Sequence, residues 1–203
     1  MPTSLTDWDD KHRNAARDGA AEPASFVQEL LPLSPRGPAL DLACGTGRHA
    51  LLLAARQQRV TAVDGSSVAL DILENRARVL KYPTVRVASN GGIPSPQERI
   101  TLLQADLEAA ELPTNTFALI VCVQYLQRSL FSQIARALRP GGMLLFETYT
   151  TAQLEFSGGP RSLAHLLEPG ELRTAFSSLN TVFYRELRAG RGIASLIARK
   201  GGG

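Results

Sequence analysis

The stretch ALDLACGTGRHALLLA, residues 39–54, constrains the fold more than any other part of the sequence. An apolar run containing Asp41 leads into two closely spaced glycines, Gly45 and Gly47, and then into residues that favour a helix. This order predicts a buried strand, a tight loop and a helix. Glycines in such a loop allow positive φ angles and let a ligand approach the backbone closely. In an open parallel sheet, the loop would lie at the carboxyl ends of the strands, where ligands bind.

The same alternation of apolar strands and amphipathic helices continues along the chain. Strands that are apolar on both sides are typical of a parallel sheet covered by helices on both faces. Near the C-terminus, TVFYREL and IASLIAR are joined by RAGRG, which predicts a hairpin. We therefore predict an α/β, Rossmann-like, doubly wound fold with a mostly parallel seven-stranded sheet and an antiparallel edge hairpin strand. The strands that precede the hairpin are predicted at 39–43, 59–64, 99–106, 117–123 and 142–149, and the main helices at 47–57, 67–80 and 130–138.

Length and composition limit the class of protein further. The 203 residues suit a single domain, 1–203, in which residues 1–25 form an N-terminal arm and residues 148–168 a substrate-side cover. A net charge of +3 without a Lys/Arg cluster argues against a nucleic-acid partner. No apolar run reaches the roughly 18 residues of a membrane span, and the first residues lack the apolar stretch of a secretory signal. Two cysteines, Cys44 and Cys122, do not form a disulfide framework. These features predict a cytoplasmic monomer or homodimer.

The glycine loop allows two kinds of ligand. GTGRHA at 45–50 fits a dinucleotide fingerprint, and Asp64 lies 17 residues beyond Gly47, close to the spacing of a ribose-binding acid. An acid beside the loop would oppose a pyrophosphate, however, and Asp41 occupies that position. An acid at this position would instead suit a ligand with a cationic amino-acid group, such as S-adenosylmethionine. Two simpler possibilities remain open: Asp41 as a cap on local backbone N–H groups, and a strand-to-helix turn that binds no ligand.

Five blocks of sequence, in this order and at this spacing, resemble the class I S-adenosylmethionine-dependent methyltransferases over residues 25–200. Within that class they are similar to the small bacterial tellurite-resistance-type methyltransferases. The blocks are LDLACGTGRHALLLA, VTAVDGS, LLQADLE, FALIVCVQYLQRSLF and LRPGGMLLFETYT. Two departures are Gln127, where the resemblance leads us to expect histidine, and His12, where it leads us to expect tyrosine.

The resemblance implies a cofactor site for S-adenosylmethionine along four strand ends. The first block would border the methionine part of the cofactor, the acid of the second block would bind the ribose hydroxyls, and the third would bind the adenine through a carboxylate and a backbone N–H. The end of the fourth strand, Cys122 to Gln124, would run under the methionine amino group. The cofactor-binding residues predicted in this way are Asp41, Ala43, Gly45, Gly47, Asp64, Gly65, Ser66, Asp106, Leu107 and Val123.

The acceptor side is specified less well. The reaction would be an in-line displacement at the sulfonium methyl, so the protein mainly has to align nucleophile, carbon and sulfur. Tyr125, Arg128 and Tyr149 lie just beyond two strands and could orient a small-molecule acceptor. No catalytic residue and no metal ligand is predicted. The alternatives are a nicotinamide-dependent dehydrogenase with the same glycine loop, and a non-catalytic cofactor-binding module.

Overall fold

A computed structural model describes residues 9–10, 12–13, 22–89 and 91–202. Within these residues, eight strands form one sheet in the order β3-β4-β2-β1-β5-β6-β8-β7. The strands are β1 (Ala39–Leu42), β2 (Val60–Asp64), β3 (Thr84–Val87), β4 (Ile100–Gln104), β5 (Phe117–Val123), β6 (Leu138–Tyr149), β7 (Asn180–Arg188) and β8 (Gly192–Arg199). The helices are α1 (Ser25–Leu30), α2 (Arg48–Ala55), α3 (Ser67–Val79), α4 (Phe131–Ala137) and α5 (Glu171–Ala175), with short 3₁₀ turns between several elements.

The parallel part of the sheet is wound outward in two directions from β1. This strand pairs with β2 on one side, where Leu42 lies opposite Val63, and with β5 on the other, where Leu42 lies opposite Cys122. Strands β2 to β4 thus lie on one side of β1, and the later strands lie on the other side, so the strand order reverses between the neighbours β1 and β5. Such a switch point opens a crevice at the carboxyl ends of the strands, and the glycine loop that follows β1 borders it.

Apolar side chains cover both faces of the sheet. Every residue of β5 is buried, as expected for a central strand with helices on both sides. Helices α1, α2 and α3 cover one face, and α4 and α5 cover the other. Helix α3 illustrates the local cause: Ser66 caps its N-terminus, and Leu70, Leu73 and Ala77 recur at helical spacing to form its buried side. The doubly wound α/β prediction is confirmed.

The antiparallel edge is also confirmed. Strand β8 pairs antiparallel with both β6 and β7, so that the hairpin extends the parallel sheet. Phe183 of β7 contacts Phe26 of α1, with ring centroids 6.3 Å apart. This contact links the last hairpin to the first helix of the fully described region. None of the helices in the described ranges has the length and apolar composition needed to cross a membrane.

The sheet has one strand more than the seven predicted. The additional strand, β3, pairs parallel with β4 at the far edge, with Thr84 opposite Ile100. The strand has four residues, none of them buried, so it lacks the continuous apolar pattern by which the other parallel strands are recognised. Strand β6 also begins earlier than predicted: Leu138 pairs with Phe117 before an irregularity, and the regular register resumes at Met143.

Candidate functional site

The loop after β1 carries an unusual run of backbone conformations. Ala43, Gly45 and Gly47 have φ angles of 54°, 53° and 83°. At Gly47 a side chain would also have no room, because a Cβ there would lie 2.1 Å from the Leu73 Cδ1 atom. The loop is closed by a hydrogen bond from the Gly47 N–H to the Cys44 carbonyl, 3.0 Å long. The glycines therefore allow the turn itself and its close contact with α3.

Asp64 at the end of β2 holds the loop in place. Its Oδ2 atom accepts a hydrogen bond from the Gly45 N–H at 2.7 Å, and its Oδ1 atom accepts one from the Ser66 N–H at 2.9 Å. Each carboxylate oxygen has a second lone pair, and Asp64 is partly exposed to solvent. The carboxylate can therefore support the loop and still accept two hydroxyl groups.

The turn after Asp64 connects the crevice to the N-terminal arm. The Ser66 hydroxyl accepts the Ala69 N–H at 3.0 Å and donates a hydrogen bond to Asp9 Oδ1. The Gly65 carbonyl accepts a hydrogen bond from Gln104 at 3.2 Å. Asp9 and His12 are both helical, and a Cβ on Gly45 would lie 3.4 Å from the His12 ring. Part of the predicted arm therefore lies over the glycine loop. Residues 1–8, 11 and 14–21 of the arm, including Trp8, lie outside the described residues.

The predicted adenine-binding residues follow β4. The Ala105 N–H donates to the Asp64 carbonyl at 3.1 Å, which joins the two strand ends. Asp106 is exposed, and its Oδ1 atom accepts the Glu108 N–H at 2.9 Å, while Leu107 is buried. Asp64 and Asp106 are thus brought to one side of the crevice, with oxygens that face solvent.

Tyr125 belongs to this same side. Its pKa is raised, mainly by burial and then by the charges of Cys122, Glu108, Asp106 and Asp64. The ring also packs against the buried cluster on that face of the sheet. The sequence predicts Tyr125 as an acceptor residue, but two of the carboxylates that act on it, Asp106 and Asp64, belong to the predicted adenosine site. Its role toward an acceptor stays a prediction.

Asp41 differs sharply from these carboxylates. Its side chain is 1% exposed, and within the described part of the chain its Oδ2 atom has no hydrogen-bond partner. Burial raises the pKa of Asp41 to about 7, against the lowering effects of the Ala50 backbone N–H and the Arg48 charge. Val123 is buried at the end of β5, next to β1 in the sheet. An unsatisfied buried carboxylate is costly, and a cationic group beside the loop would relieve that cost.

Three residues at the opposite end of the loop form a connected group that the sequence analysis largely missed. The Arg48 guanidinium donates to Gln124 Oε1 at 3.0 Å, and Gln124 Nε2 donates to the Tyr149 hydroxyl at 3.3 Å. Of these residues, the sequence predicts Tyr149 as a substrate residue and Gln124 only as the end of a strand that runs under the cofactor; it does not predict Arg48. Arg48 follows the second glycine directly and Gln124 follows Val123, so adjacency to the two motifs was the available signal.

Arg128 is not brought into this group. Its Nε atom lies 2.6 Å from Glu171 Oε1, and its other nitrogens donate to the carbonyls of Ala164 and Leu166 at 3.2 and 2.8 Å. These contacts tie the segment before α5 to the end of β5. A role for Arg128 in substrate binding stays a prediction. In the structure, its guanidinium is bonded to Glu171 and to two backbone carbonyls.

The remaining polar residues near the crevice have structural partners. His49 Nε2 accepts the Ala24 N–H at 3.2 Å, and the pKa of His49 is lowered to about 3 by burial and by the Arg48 charge, so the ring is neutral. Glu147 is buried and accepts the Ser195 hydroxyl at 2.6 Å, with Arg185 at 3.8 Å. Burial raises the pKa of both buried thiols, Cys44 and Cys122. Among the described residues, no group of three or more His, Cys, Asp or Glu side chains could hold a metal ion.

Comparison with known proteins shows which family this chain belongs to. Residues 39–142, about half of the chain, match the methyltransferase domain family. The chain is 29% identical to the cypemycin N-terminal methyltransferase of a Streptomyces species, over 87% of this chain and 65% of that protein. It is 28% identical to the trans-aconitate 2-methyltransferase of Paracidovorax citrulli, over 70% of this chain and 50% of the relative. The chain spans between 47% and 65% of the length of the curated relatives it matches.

Solved structures extend the likeness. TehB from Haemophilus influenzae superposes with a TM-score of 0.69 at 19% identity, over 90% of this chain and 64% of TehB. At this identity the match is one of fold. The chain belongs to the methyltransferase domain family. A solved structure from Mesorhizobium loti, which is 18% identical with a TM-score of 0.63 over 90% of this chain and 99% of that chain, is described as an S-adenosylmethionine dependent methyltransferase. The predicted resemblance to class I methyltransferases is confirmed.

Proposed function

We propose that this protein transfers a methyl group from S-adenosylmethionine to a small-molecule acceptor. The observation that carries the proposal is Asp41, a buried carboxylate beside a glycine loop, one oxygen of which has no hydrogen-bond partner among the residues that the structure describes. A negative charge at this position suits a cofactor with a cationic amino-acid end and opposes a pyrophosphate. The alternative of a nicotinamide-dependent dehydrogenase is therefore not favoured.

In this proposal the protein binds the cofactor in two parts. Asp64 accepts the two ribose hydroxyls, because both of its oxygens keep a lone pair after bonding the loop. Asp106 and the Leu107 backbone N–H bind the adenine. Asp41 and the end of β5 at Val123 hold the ammonium. The turns at Ala43, Gly45, Gly47, Gly65 and Ser66 line the path between these groups.

The chemistry that the cofactor supplies is a methyl group on a sulfonium sulfur, open to in-line displacement by a nucleophile. The work left to the protein is then orientation and exclusion of water. Tyr149 lies at the end of β6, where its hydroxyl is held by Gln124. A residue in this position can align an acceptor without removing a proton from it. We therefore assign Tyr149 to the alignment of the acceptor.

A small acceptor is supported by the way in which the arginines are distributed. Arg86, Arg128 and Arg188 each bond a carboxylate on a neighbouring element: Asp71 and Glu74, Glu171, and Glu155. Such paired charges do not form the basic stripe that a polynucleotide requires. The trans-aconitate relative is named for a small acid. The proposal also includes a cytoplasmic monomer or homodimer that has no nucleic-acid or membrane partner.

Calorimetry with the reaction product, S-adenosylhomocysteine, tests the cofactor half of the proposal. We expect saturable binding, and no binding of reduced nicotinamide dinucleotide in a parallel titration. Binding of the nicotinamide cofactor without binding of S-adenosylhomocysteine would reverse the assignment. A screen with radiolabelled methyl donor against small acids, thiols, amines and oxyanions of tellurium and selenium then tests transfer. Cofactor binding without turnover of any acceptor class would favour the non-catalytic module.

A further inference from the structure

Among the described residues, no carboxylate forms an ion pair with Arg48, which is partly buried. It is the first residue of α2 and is placed by Gly47 at the rim of the crevice. Its guanidinium donates to Gln124 Oε1 at 3.0 Å and to the Glu22 carbonyl at 3.4 Å. Within the described ranges, no carboxylate lies within ion-pair distance of it. A guanidinium has more N–H donors than these two bonds use, so part of its fork is left for another acceptor.

Gln124 fixes the direction of this guanidinium. Its backbone has a φ angle of 60°, and its N–H donates to the Glu147 carbonyl at 2.7 Å, which ties the residue to β6. The side-chain oxygen accepts from Arg48 and the side-chain nitrogen donates to Tyr149 at 3.3 Å. Because the Tyr149 hydroxyl accepts this bond, its own proton can be donated elsewhere. The group Arg48, Gln124 and Tyr149 therefore presents donors to the crevice.

The neighbouring carboxylates do not neutralise this group. Glu147 is bonded to Ser195 at 2.6 Å and has Arg185 at 3.8 Å, so its charge is already shared with another arginine. Asp41 influences Arg48 electrostatically but forms no ion pair with it. The loop thus keeps one buried carboxylate and one guanidinium apart. A ligand that carries both an ammonium and a carboxylate would satisfy both, and a planar carboxylate matches the fork of an arginine.

We infer that Arg48, aligned by Gln124 and Tyr149, is a carboxylate-binding residue of this site. The inference rests on the proposed function, because the crevice is taken as the place where cofactor and acceptor meet. The carboxylate has two possible sources: the amino-acid end of the cofactor, and an acidic acceptor. Both would be recognised by the same fork of N–H donors and by the Tyr149 hydroxyl.

The test compares ligands that differ only in this group. S-adenosylhomocysteine and its decarboxylated analogue are titrated into wild type, Arg48→Gln and Tyr149→Phe. If the cofactor supplies the carboxylate, wild type prefers the intact product by about 10- to 100-fold, the range expected for a charge-assisted hydrogen bond. Arg48→Gln removes this preference, and Tyr149→Phe reduces it by a smaller factor. The matched control is Arg78→Gln, because Arg78 is an exposed arginine on α3 that bonds Asn75. This variant should keep the preference.

A second arm tests the acceptor as the source. Acetate, succinate and citrate are titrated into the protein with and without saturating S-adenosylhomocysteine. Carboxylate binding that Arg48→Gln abolishes and Arg78→Gln retains supports the inference through this source. Thermal unfolding of each variant shows that the fold is kept, and Tyr149→Phe provides a second variant should Arg48→Gln unfold.

The outcomes separate the inference from the proposed function. Binding of S-adenosylhomocysteine with no dependence on Arg48 in either arm overturns the inference and leaves the proposed function intact. Carboxylate binding that depends on Arg48, without any binding of S-adenosylhomocysteine, overturns the proposed function and supports the inference. Failure of both ligands to bind wild type overturns both.

Discussion

The crevice has two halves that satisfy their charged groups in opposite ways. In the adenosine half, Asp64 accepts two backbone N–H groups at 2.7 and 2.9 Å, and Asp106 accepts a third at 2.9 Å. In the amino-acid half, Asp41 is 1% exposed with an oxygen that lacks a partner, and Arg48 has no ion pair within the described residues. The first half is therefore completed by the protein's own backbone. The second keeps opposite charges apart, at a cost in stability that a zwitterionic ligand can relieve.

The largest effect is expected from the adenosine half. Asp64→Ala removes the acceptor of the Gly45 and Ser66 N–H groups and the proposed acceptor of two hydroxyls. Two charge-assisted hydrogen bonds to a ligand correspond to about 3 to 6 kcal/mol, so the affinity for S-adenosylhomocysteine should fall more than about 100-fold. Calorimetry measures this loss. Asp71→Ala, an exposed carboxylate on α3 that pairs with Arg86, is the control and should bind normally; an Asp64→Ala affinity within threefold of wild type would contradict the assignment.

A pH titration should distinguish the two halves. The pKa of Asp41 in the folded protein is raised to about 7, so the carboxyl is largely protonated below that pH. A cationic ligand binds the ionised form, and binding must then release the proton. The affinity for S-adenosylhomocysteine should therefore fall by up to about tenfold for each pH unit below 7 and stay level above it. Asp41→Asn should bind weakly at every pH, without this slope.

The control for the pH titration is His12, because its ring lies beside Gly45 and histidine is the side chain type that can change charge in this pH range. His12→Gln should keep the slope if Asp41 is its cause. Proton release can be measured separately, by calorimetry in two buffers with different heats of ionisation. A flat profile between pH 5 and 7 in wild type would mean that the buried carboxylate does not receive the ligand's cation.

The two halves also differ in how far the sequence predicts them. The adenosine half depends on backbone turns whose residue types are visible in the sequence, Gly45 and Gly47 before α2 and Asp64 at a strand end. The amino-acid half depends on a contact across the fold: Tyr149 meets Gln124 from another strand. Gln124 also has a left-handed backbone without being glycine, so its conformation leaves no mark in the sequence. Tertiary pairing decides such positions, and a single sequence does not reveal it.

The same limit explains the edges of the fold. The central strands were predicted because burial on both faces makes them apolar throughout. The sequence does not predict strand β3, because none of its four residues is buried. It assigns Arg128 to the acceptor site, because the partner of this arginine, Glu171, lies 43 residues away and the sequence does not reveal the pair.

Within the glycine loop, two alanine substitutions should differ in stability. Gly47→Ala forces a left-handed φ of 83° on alanine and places its Cβ 2.1 Å from Leu73. Strain and overpacking together should lower the free energy of unfolding by about 2 to 3 kcal/mol. At Gly45 the φ angle is 53°, and among the described residues an added Cβ would meet only the His12 ring, at 3.4 Å, so Gly45→Ala should cost about 1 kcal/mol. Urea denaturation measures both, and equal losses would show that the contact with α3 does not fix the loop.

The smallest effect marks the boundary of the amino-acid half. If Arg128 is a structural residue, Arg128→Gln should lower the free energy of unfolding by about 1 kcal/mol and leave binding of S-adenosylhomocysteine unchanged, because its bonds are made to Glu171 and to carbonyls of the segment before α5. The Arg128 side chain is 42% exposed, so solvent screens the pair and the coupling with Glu171→Gln in a double-mutant cycle should stay at or below about 1 kcal/mol. Glu171 also accepts the Glu168 N–H at 2.8 Å, which is why the cycle is needed in addition to the single variants. The contrary result is an Arg128 variant that keeps full stability but loses turnover of a newly found acceptor. That result would assign Arg128 to the acceptor site and extend the amino-acid half beyond Arg48, Gln124 and Tyr149.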